Sequence, residues 1–172
     1  TLLGDKDAGV RQRAGTTLRD NNSSEKGAES KGEMRKAAMA VLSSGIAPLV
    51  ELLRGGLSDD RVEAQEYSLR GLSNATDAVR RQQIVEEGCI PCLIEALQNY
   101  KLREESKEHA AMVLASLALD QTDHEEIVKC GGVVELVQLI TAEHTTMGGK
   151  KEAALSLARL CTSGAETQAL IA

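Results

Sequence analysis

Two cysteines at C-x-x-C spacing, Cys89 and Cys92, are the residues of this chain whose types and spacing most directly suggest chemistry. Such a pair provides two ligands for zinc or forms the dithiol of thioredoxin-like redox sites. Structural zinc requires two more ligands, and the three histidines, His109, His124 and His144, have no paired spacing. A thioredoxin-like site requires a βαβ context, which the surrounding sequence lacks. We therefore interpret the pair as part of a helix corner and predict no metal and no cofactor.

Other arrangements that support catalysis in proteins are also incomplete in this chain. The Gly-Gly-Lys segment at 148–150 lacks the spacing, and the Ser or Thr, of a phosphate-binding loop. His124 is followed by two glutamates, but no second histidine completes the pattern of a zinc protease. No nucleophile stands with a base and an orienting group. The sequence therefore predicts no catalytic site, and we expect that the chain is not an enzyme.

Charge and hydropathy limit the kinds of partner. The 172 residues carry 26 acidic and 20 basic side chains, for a net charge of -6. This balance disfavours an electrostatic grip on phosphate backbones, so nucleic acid is not an expected partner. The chain has neither an apolar run of about 18 residues nor a secretory signal, so we expect no direct membrane insertion. We predict an intracellular location, cytoplasmic or alternatively nuclear.

The segment around the cysteine pair repeats along the chain, which identifies the elements that position it. The segment GCIPCLIEAL begins at Gly88, GGVVELVQLI begins at Gly131, and the slightly shorter GIAPLVELL begins at Gly45. These glycines stand 43 residues apart. Glycine most easily adopts the left-handed conformation that ends a helix, so each one predicts a helix end followed by a second helix. The next repeat has Gly132 and Glu135 at the places of Cys89 and Cys92, so the predicted corner does not require the cysteine pair.

Each repeat is predicted to be a short helix, a turn at the glycine, a second helix, a polar loop and a longer third helix. The pair Thr122 and Glu125 fits a capping box at the start of one first helix. No segment has convincing period-two alternation, so the predicted fold class is all-α. A unit of 43 residues falls within the ~40–47 residues of armadillo and HEAT repeats.

The residues of the repeat favour one of these two families. The pattern G-x-I-P-x-L-I at Gly88–Ile94, followed by L-x-x-L-A at Leu114–Ala118, resembles the armadillo repeat. The segment Leu-Arg-Gly-Leu-Ser at 69–73 resembles the ending of that family's third helix, which is usually Leu-Arg-Asn-Leu-Ser or similar. The resemblance covers the chain from about residue 7 to its end. It implies a right-handed armadillo-type α-solenoid, a superhelix of three-helix repeats.

The repeat register predicts five segments along the chain. We expect further repeats at both ends, because exposed solenoid ends need a polar cap, and hence a longer solenoid or a multi-protein assembly. The predicted segments are a partial N-terminal repeat at 1–45 with a polar insertion at about 20–33, armadillo-like repeats at 46–88, 89–131 and 132–163, and the first helix of a further repeat at 164–172.

The resemblance also implies where a partner binds, because third helices of armadillo proteins line a concave groove. In nuclear-import adaptors of that family, two groove positions hold Trp and Asn, which bind basic signal peptides. Neither residue occupies those positions here. A register slip of one position would turn Met112 and Leu155 into the core instead. The predicted protein-binding residues share a place on the third helices, at those two positions or beside them: Glu63, Tyr67, Arg70, Gly71, Glu108, Met112, Ser116, Lys151, Leu155 and Arg159.

We therefore predict a non-catalytic protein–protein interaction scaffold that binds an extended peptide or a helix of another protein in the groove. Tyr67 and Met112 would act as apolar anchors, with the charged residues selecting the partner. One alternative is a cargo adaptor of the nuclear-transport type. Another is a structural assembly subunit or spacer whose contacts run along the helix edges.

Overall fold

The computed structural model describes residues 45–54, 62–75 and 77–163. Within these ranges the chain forms eight α-helices and no strand, and none of these helices is long and apolar enough to cross a bilayer. Most of the predicted N-terminal partial repeat and the predicted helix at 164–172 lie outside the described residues. The helices are α1 (Ile46–Arg54), α2 (Val62–Ser73), α3 (Ala78–Glu86), α4 (Cys89–Gln98), α5 (Glu104–Leu117), α6 (Gln121–Lys129), α7 (Gly132–Thr141) and α8 (Met147–Leu160), and a 3-10 helix (Cys161–Ser163) follows.

The helices follow the predicted order within each repeat. Helices α3, α4 and α5 form one set of short, second and longer third helix, and α6, α7 and α8 form the next set. Helices α1 and α2 are the second and third helices of the preceding repeat. The three third helices stack in sequence, since α5 contacts α2 and α8 contacts α5. The fold is the predicted all-α solenoid, while the repeat boundaries at 46–88, 89–131 and 132–163 stay a prediction.

Glycines form the corners between first and second helices. Gly88 and Gly131 have backbone φ angles of 65° and 84°, in the left-handed region that other residues rarely adopt. At the first corner, the Gly88 N–H donates to the Val85 carbonyl oxygen at 2.8 Å and the Glu87 N–H donates to that of Gln83 at 3.0 Å. The chain therefore ends one helix and begins the next within two residues.

The core consists of aliphatic side chains from all three kinds of helix. Leu69 and Leu72 of α2 are fully buried, as are Leu114 and Leu117 at the equivalent places in α5. Alanines such as Ala111 are also buried where third helices meet, and a side chain of this size allows close approach of the helices. The spacing of three residues places each leucine pair on one face of its helix, which packs into the core.

The start of α6 differs from the prediction. The helix begins at Gln121, and its N-cap is Asp120, which makes no side-chain capping bond. Thr122 therefore lies inside the first turn, where its hydroxyl donates to the Asp123 carboxylate at 3.4 Å. The predicted capping box of Thr122 and Glu125 was wrong, because a residue within the helix no longer has the extended backbone that directs a cap side chain toward the free amides.

Candidate protein-binding surface

The apolar residues predicted to anchor a partner lie in one row across the third helices. Tyr67 of α2, Met112 of α5 and Leu155 of α8 each occupy the same place in their helix and are all partly exposed. Leu155 is 37% exposed, whereas Ser156 beside it is buried. Each side chain thus reaches solvent on the side of the helix away from the core. We call these three residues the apolar row.

A second row lies one helical turn earlier and carries charge. Glu63 of α2 and Lys151 of α8 are exposed, whereas Glu108 of α5 is half-buried. The Glu108 carboxylate accepts a hydrogen bond from the Thr146 hydroxyl at 2.6 Å, so it also joins α5 to the start of α8. The Lys151 ammonium lies 3.5 Å from the Glu152 carboxylate. Glu63, Glu108 and Lys151 form the charged row.

The predicted residues one turn after the apolar row are less accessible. Gly71 and Ser116 are buried, and the Ser116 hydroxyl donates to the Val113 carbonyl oxygen of its own helix at 2.8 Å. Arg159 is half-buried, and its guanidinium donates to the carbonyl oxygen of Ala115 in α5. Substitution of Arg159 would therefore change the contact between α8 and α5 as well as the surface charge.

The ion pair between Glu66 and Arg103 was not predicted from the sequence. Arg103 precedes α5, and its Nε lies 2.9 Å from each oxygen of the Glu66 carboxylate, which is buried in α2. The Arg103 backbone N–H also donates to this carboxylate at 3.1 Å. Burial by itself raises the pKa of Glu66, but the bonds from Arg103 outweigh it and lower the pKa overall. Repeat register gave no signal for this pair, because Thr146 occupies the equivalent place in the next repeat.

Several carboxylates affect Arg103 at the contact between α2 and α5. The hydrogen bond and charge of Glu66 contribute most to raising the pKa of Arg103, and the carboxylates of Glu105 and Glu63 raise it further. Glu105 is exposed one turn before Glu108 on α5. The charges of three carboxylates therefore act on one guanidinium where α2 meets α5, and Glu66 is the one in contact with it.

His109 makes a second contact between third helices that was not predicted from the sequence. Its Nδ1 lies 3.1 Å from the hydroxyl oxygen of Ser73, so it links α5 to the end of α2. Burial lowers the pKa of His109, the nearby Glu108 opposes that effect, and Arg70, which is exposed at this end of α2, lowers the pKa further. The neutral imidazole is thus favoured at this contact. The sequence shows a histidine in the first turns of a third helix. It does not show that Ser73 is its partner, because that contact depends on how the helices stack.

The cysteine pair lies at the corner between α3 and α4. Cys89 is fully buried, and burial raises the pKa of its thiol to about 12. Cys92 is half-buried, and neither Cys89 nor Cys92 forms a disulfide. No group of three or more metal-ligating side chains occurs among residues 45–54, 62–75 and 77–163. The buried thiol packs as a small apolar side chain.

Known structures place this arrangement in one fold class. The chain has an armadillo-type α-solenoid fold, as shown by its similarity to solved armadillo repeat structures. Its sequence matches no protein-family model and gives no significant match among curated proteins.

Three solved structures illustrate the similarity. A designed armadillo repeat protein in complex with the peptide (KR)4 is 18% identical over 94% of this chain and 68% of its own, with a TM-score of 0.67. Computationally designed armadillo repeat proteins for modular peptide recognition are 18% identical over 79% of this chain and 56% of theirs, with a TM-score of 0.63. The armadillo repeats only protein from Plasmodium falciparum is 22% identical over 96% of this chain and 66% of its own, with a TM-score of 0.60.

Proposed function

We propose that this chain is a non-catalytic protein-interaction scaffold that binds a segment of a partner protein along the surface of its third helices. The apolar row carries this proposal. Tyr67, Met112 and Leu155 are partly exposed at equivalent places on three stacked helices. Apolar side chains aligned along a preformed surface, with charged residues beside them, are typical of peptide-binding grooves.

The binding energy would come mainly from removal of the apolar row from water. A buried aromatic or aliphatic contact contributes most when it lies at the centre of an interface and is enclosed by polar groups. Tyr67 suits an anchor because its ring is rigid and its hydroxyl can remain in contact with polar groups at the edge. The charged row would then select among partners through complementary charge.

The solved structures add support from the fold. Two of the similar designed proteins are described by their binding of the peptide (KR)4 and by modular peptide recognition. Those partners belong to the designed proteins. Peptide binding by proteins of this fold supports the proposal that the present chain binds a peptide segment.

The two tyrosines of the chain provide a matched test. Partners would be captured with the full chain and identified by mass spectrometry, and binding of the identified segment would then be measured by fluorescence anisotropy. We expect Tyr67→Ala to weaken binding about tenfold or more, because it removes an anchor. Tyr100→Ala should have no effect, since Tyr100 is 84% exposed in the turn between α4 and α5. Equal affinity of the two variants, with helicity retained, would contradict the proposal.

A structural assembly role remains a second candidate because of the exposed edge at α7. Val50 of α1, Ile94 of α4 and Val137 of α7 each follow a buried leucine at the same place in the second helix. Val50 and Ile94 are buried, whereas Val137 is 40% exposed and Val134 beside it is also exposed. If assembly uses this edge, Val137→Glu should abolish partner binding while Tyr67→Ala leaves it unchanged.

The nuclear-transport alternative has weaker support. The apolar row contains no Trp, and the positions one turn later hold Gly71, Ser116 and Arg159 instead of Asn. Preferential binding of a basic nuclear-import peptide to the apolar row would favour this alternative. An intracellular, cytoplasmic location stays a prediction, as does membership of a longer solenoid or a multi-protein assembly.

A further inference from the structure

The exposed charges of the third-helix surface change sign along the solenoid. Toward α2 and α5 the charged row and its surroundings are acidic, with Glu63 and Glu105 exposed and Glu108 half-buried. The guanidinium of Arg103 is already bonded to the buried Glu66, so it neutralises only part of this charge. The acidic excess near the α2–α5 contact is therefore open to a partner.

At α8 the sign is reversed. Lys151 occupies the charged row with its side chain 77% exposed, where α2 and α5 have glutamates. Arg159 lies on the other side of the apolar row, so Leu155 is flanked by two cations. Glu152 is next to Lys151, but its side chain is mostly buried and presents less charge to solvent than the exposed ammonium.

Charges on the side of the apolar row away from the charged row do not cancel the difference in charge between the α2–α5 region and α8. The exposed Arg70 is the cation at the α2 end, and it lies near His109, one turn beyond Tyr67. Among the described residues, the α2–α5 region thus presents acidic groups on one edge and the exposed Arg70 on the other, whereas α8 presents the exposed Lys151 on one edge and the half-buried Arg159 on the other. Like charges placed opposite each other disfavour binding, so this pattern discriminates between the two directions of a charged segment.

We propose that the partner segment is extended and has separated charges, with a basic side chain over Glu63 and Glu105, an acidic side chain over Lys151, and apolar side chains on the row between them. This inference rests on the proposed function and specifies the partner of the same surface. It differs from a uniformly basic ligand, because a basic residue over α8 would face Lys151 and Arg159.

Synthetic peptides test the proposal directly. Each peptide would have about twelve residues, enough to span three stacked helices at about 3.3 Å per residue, with leucine at the same positions. Two peptides would have a Lys block and a Glu block in either order, one would alternate Lys and Glu at identical composition, and one would carry only Lys. Affinity would be measured by fluorescence anisotropy at about 50 mM and about 300 mM salt.

We expect one of the two block peptides to bind at least about fivefold more tightly than the alternating and all-Lys peptides at low salt, with a smaller difference at high salt. Lys151→Glu should shift the preference at least about fivefold toward the all-Lys peptide, because it makes the charged row uniformly acidic. Arg80→Glu is the matched control, since it makes the same change of charge on α3, outside the third helices.

Either of two results with the unsubstituted protein would overturn the inference. One is equal affinity for block and alternating peptides, and the other is absence of binding by every peptide. If binding depends on Tyr67 but not on charge order, the proposed function stands and the charge pattern is rejected. If the peptides bind with their charge preference unchanged in Lys151→Glu, the acidic block does not lie over α8 and the inference also fails.

Discussion

The two contacts between the described third helices, α2 with α5 and α5 with α8, are built from similar apolar packing but different polar groups. Between α2 and α5, the polar links are the Glu66–Arg103 ion pair and the contact of Ser73 with His109. Between α5 and α8, they are hydroxyl and guanidinium donors to oxygen acceptors, including the Thr146 bond to Glu108, together with His144, whose Nε2 lies 3.5 Å from the Glu104 carboxylate. We call the contact between α2 and α5 the first stacking contact and the contact between α5 and α8 the second stacking contact.

This difference indicates which part of the repeat determines stacking. The fully buried leucines occupy equivalent places in each third helix, so the apolar contact recurs from one repeat to the next. The polar links use different residue types in the two contacts without changing the order of the helices. Polar links therefore adjust each contact, while apolar burial supplies most of its stability.

The largest effect is expected for Leu114→Ala, because Leu114 is fully buried in α5, the helix shared by both stacking contacts. Removal of a buried leucine side chain leaves a cavity and costs roughly 2–5 kcal/mol. Leu157→Ala, at the equivalent place in α8, should cost less, since α8 contacts only one described third helix. Urea unfolding would measure both, and a loss below about 0.5 kcal/mol for Leu114→Ala would show that the apolar contact is not dominant.

A smaller loss is expected when the first stacking contact loses its ion pair. Arg103→Ala removes the guanidinium from the buried Glu66 carboxylate and keeps the backbone N–H at position 103, which should lower the free energy of unfolding by about 1–3 kcal/mol. Lys129→Ala is a suitable control, because it removes a cation from the exposed pair with Glu125. Exposed pairs contribute little because water and salt screen them, so similar losses in the two variants would mean that burial of Glu66 is unimportant.

The stability supplied by the first stacking contact should depend on pH. The lowered pKa values of Glu66 and His109 mean that the unfolded chain binds more protons, so stability falls as pH falls. The contribution of His109 is lost below about pH 6.5, and that of Glu66 is lost below about pH 4.3, as pH falls through each lowered pKa. Unfolding at a series of pH values should show a flatter profile for His109→Gln in the upper window and for Glu66→Gln in the lower one. Unchanged slopes would assign the acid sensitivity elsewhere.

The second stacking contact should lose less when Thr146 is replaced. The Thr146 hydroxyl accepts from the Gly149 N–H at 2.9 Å as the N-cap of α8 and donates to Glu108. Thr146→Val should therefore cost about 0.5–2 kcal/mol, and Thr146→Ser should restore most of it. Failure of the serine variant to restore stability would show that the methyl group, and not the hydroxyl, is important.

The smallest effect is expected at the helix corner. Cys92→Ser should change the free energy of unfolding by less than about 0.5 kcal/mol, because Cys92 is half-buried and Glu135 occupies the equivalent place in the next repeat. Thermal unfolding with and without a zinc chelator would measure stability, and elemental analysis of the purified protein would measure its zinc content. Stoichiometric zinc that is lost in the variant together with stability would contradict the interpretation of this pair.

The helices and corners were predictable because their causes are local in sequence. Gly88 and Gly131 specify a left-handed backbone, and the spacing of Leu114 and Leu117 marks one face of a helix. Thr122 was misassigned because a helix start can shift by two residues without changing the apolar pattern.

The candidate site was only partly predictable. Repeat register predicted which positions share a place on the third helices, and these include the apolar row. It could not predict that Ser116 would be buried or that Arg159 would reach the carbonyl of Ala115, because both depend on the distance and rotation between stacked helices. The partnership of Glu66 with Arg103 depends on the loop before α5 for the same reason.

The polar links between third helices join residues that are 36 to 45 positions apart in the sequence, which is about the length of one repeat. In such a chain each repeat is held only by its neighbours, so an applied force can unfold one repeat without unfolding the others. When the two ends are pulled apart, the repeats should open one after another. Each opened repeat of 43 residues would release about 140–155 Å of contour length, and single-molecule force spectroscopy would record this as a regular sawtooth.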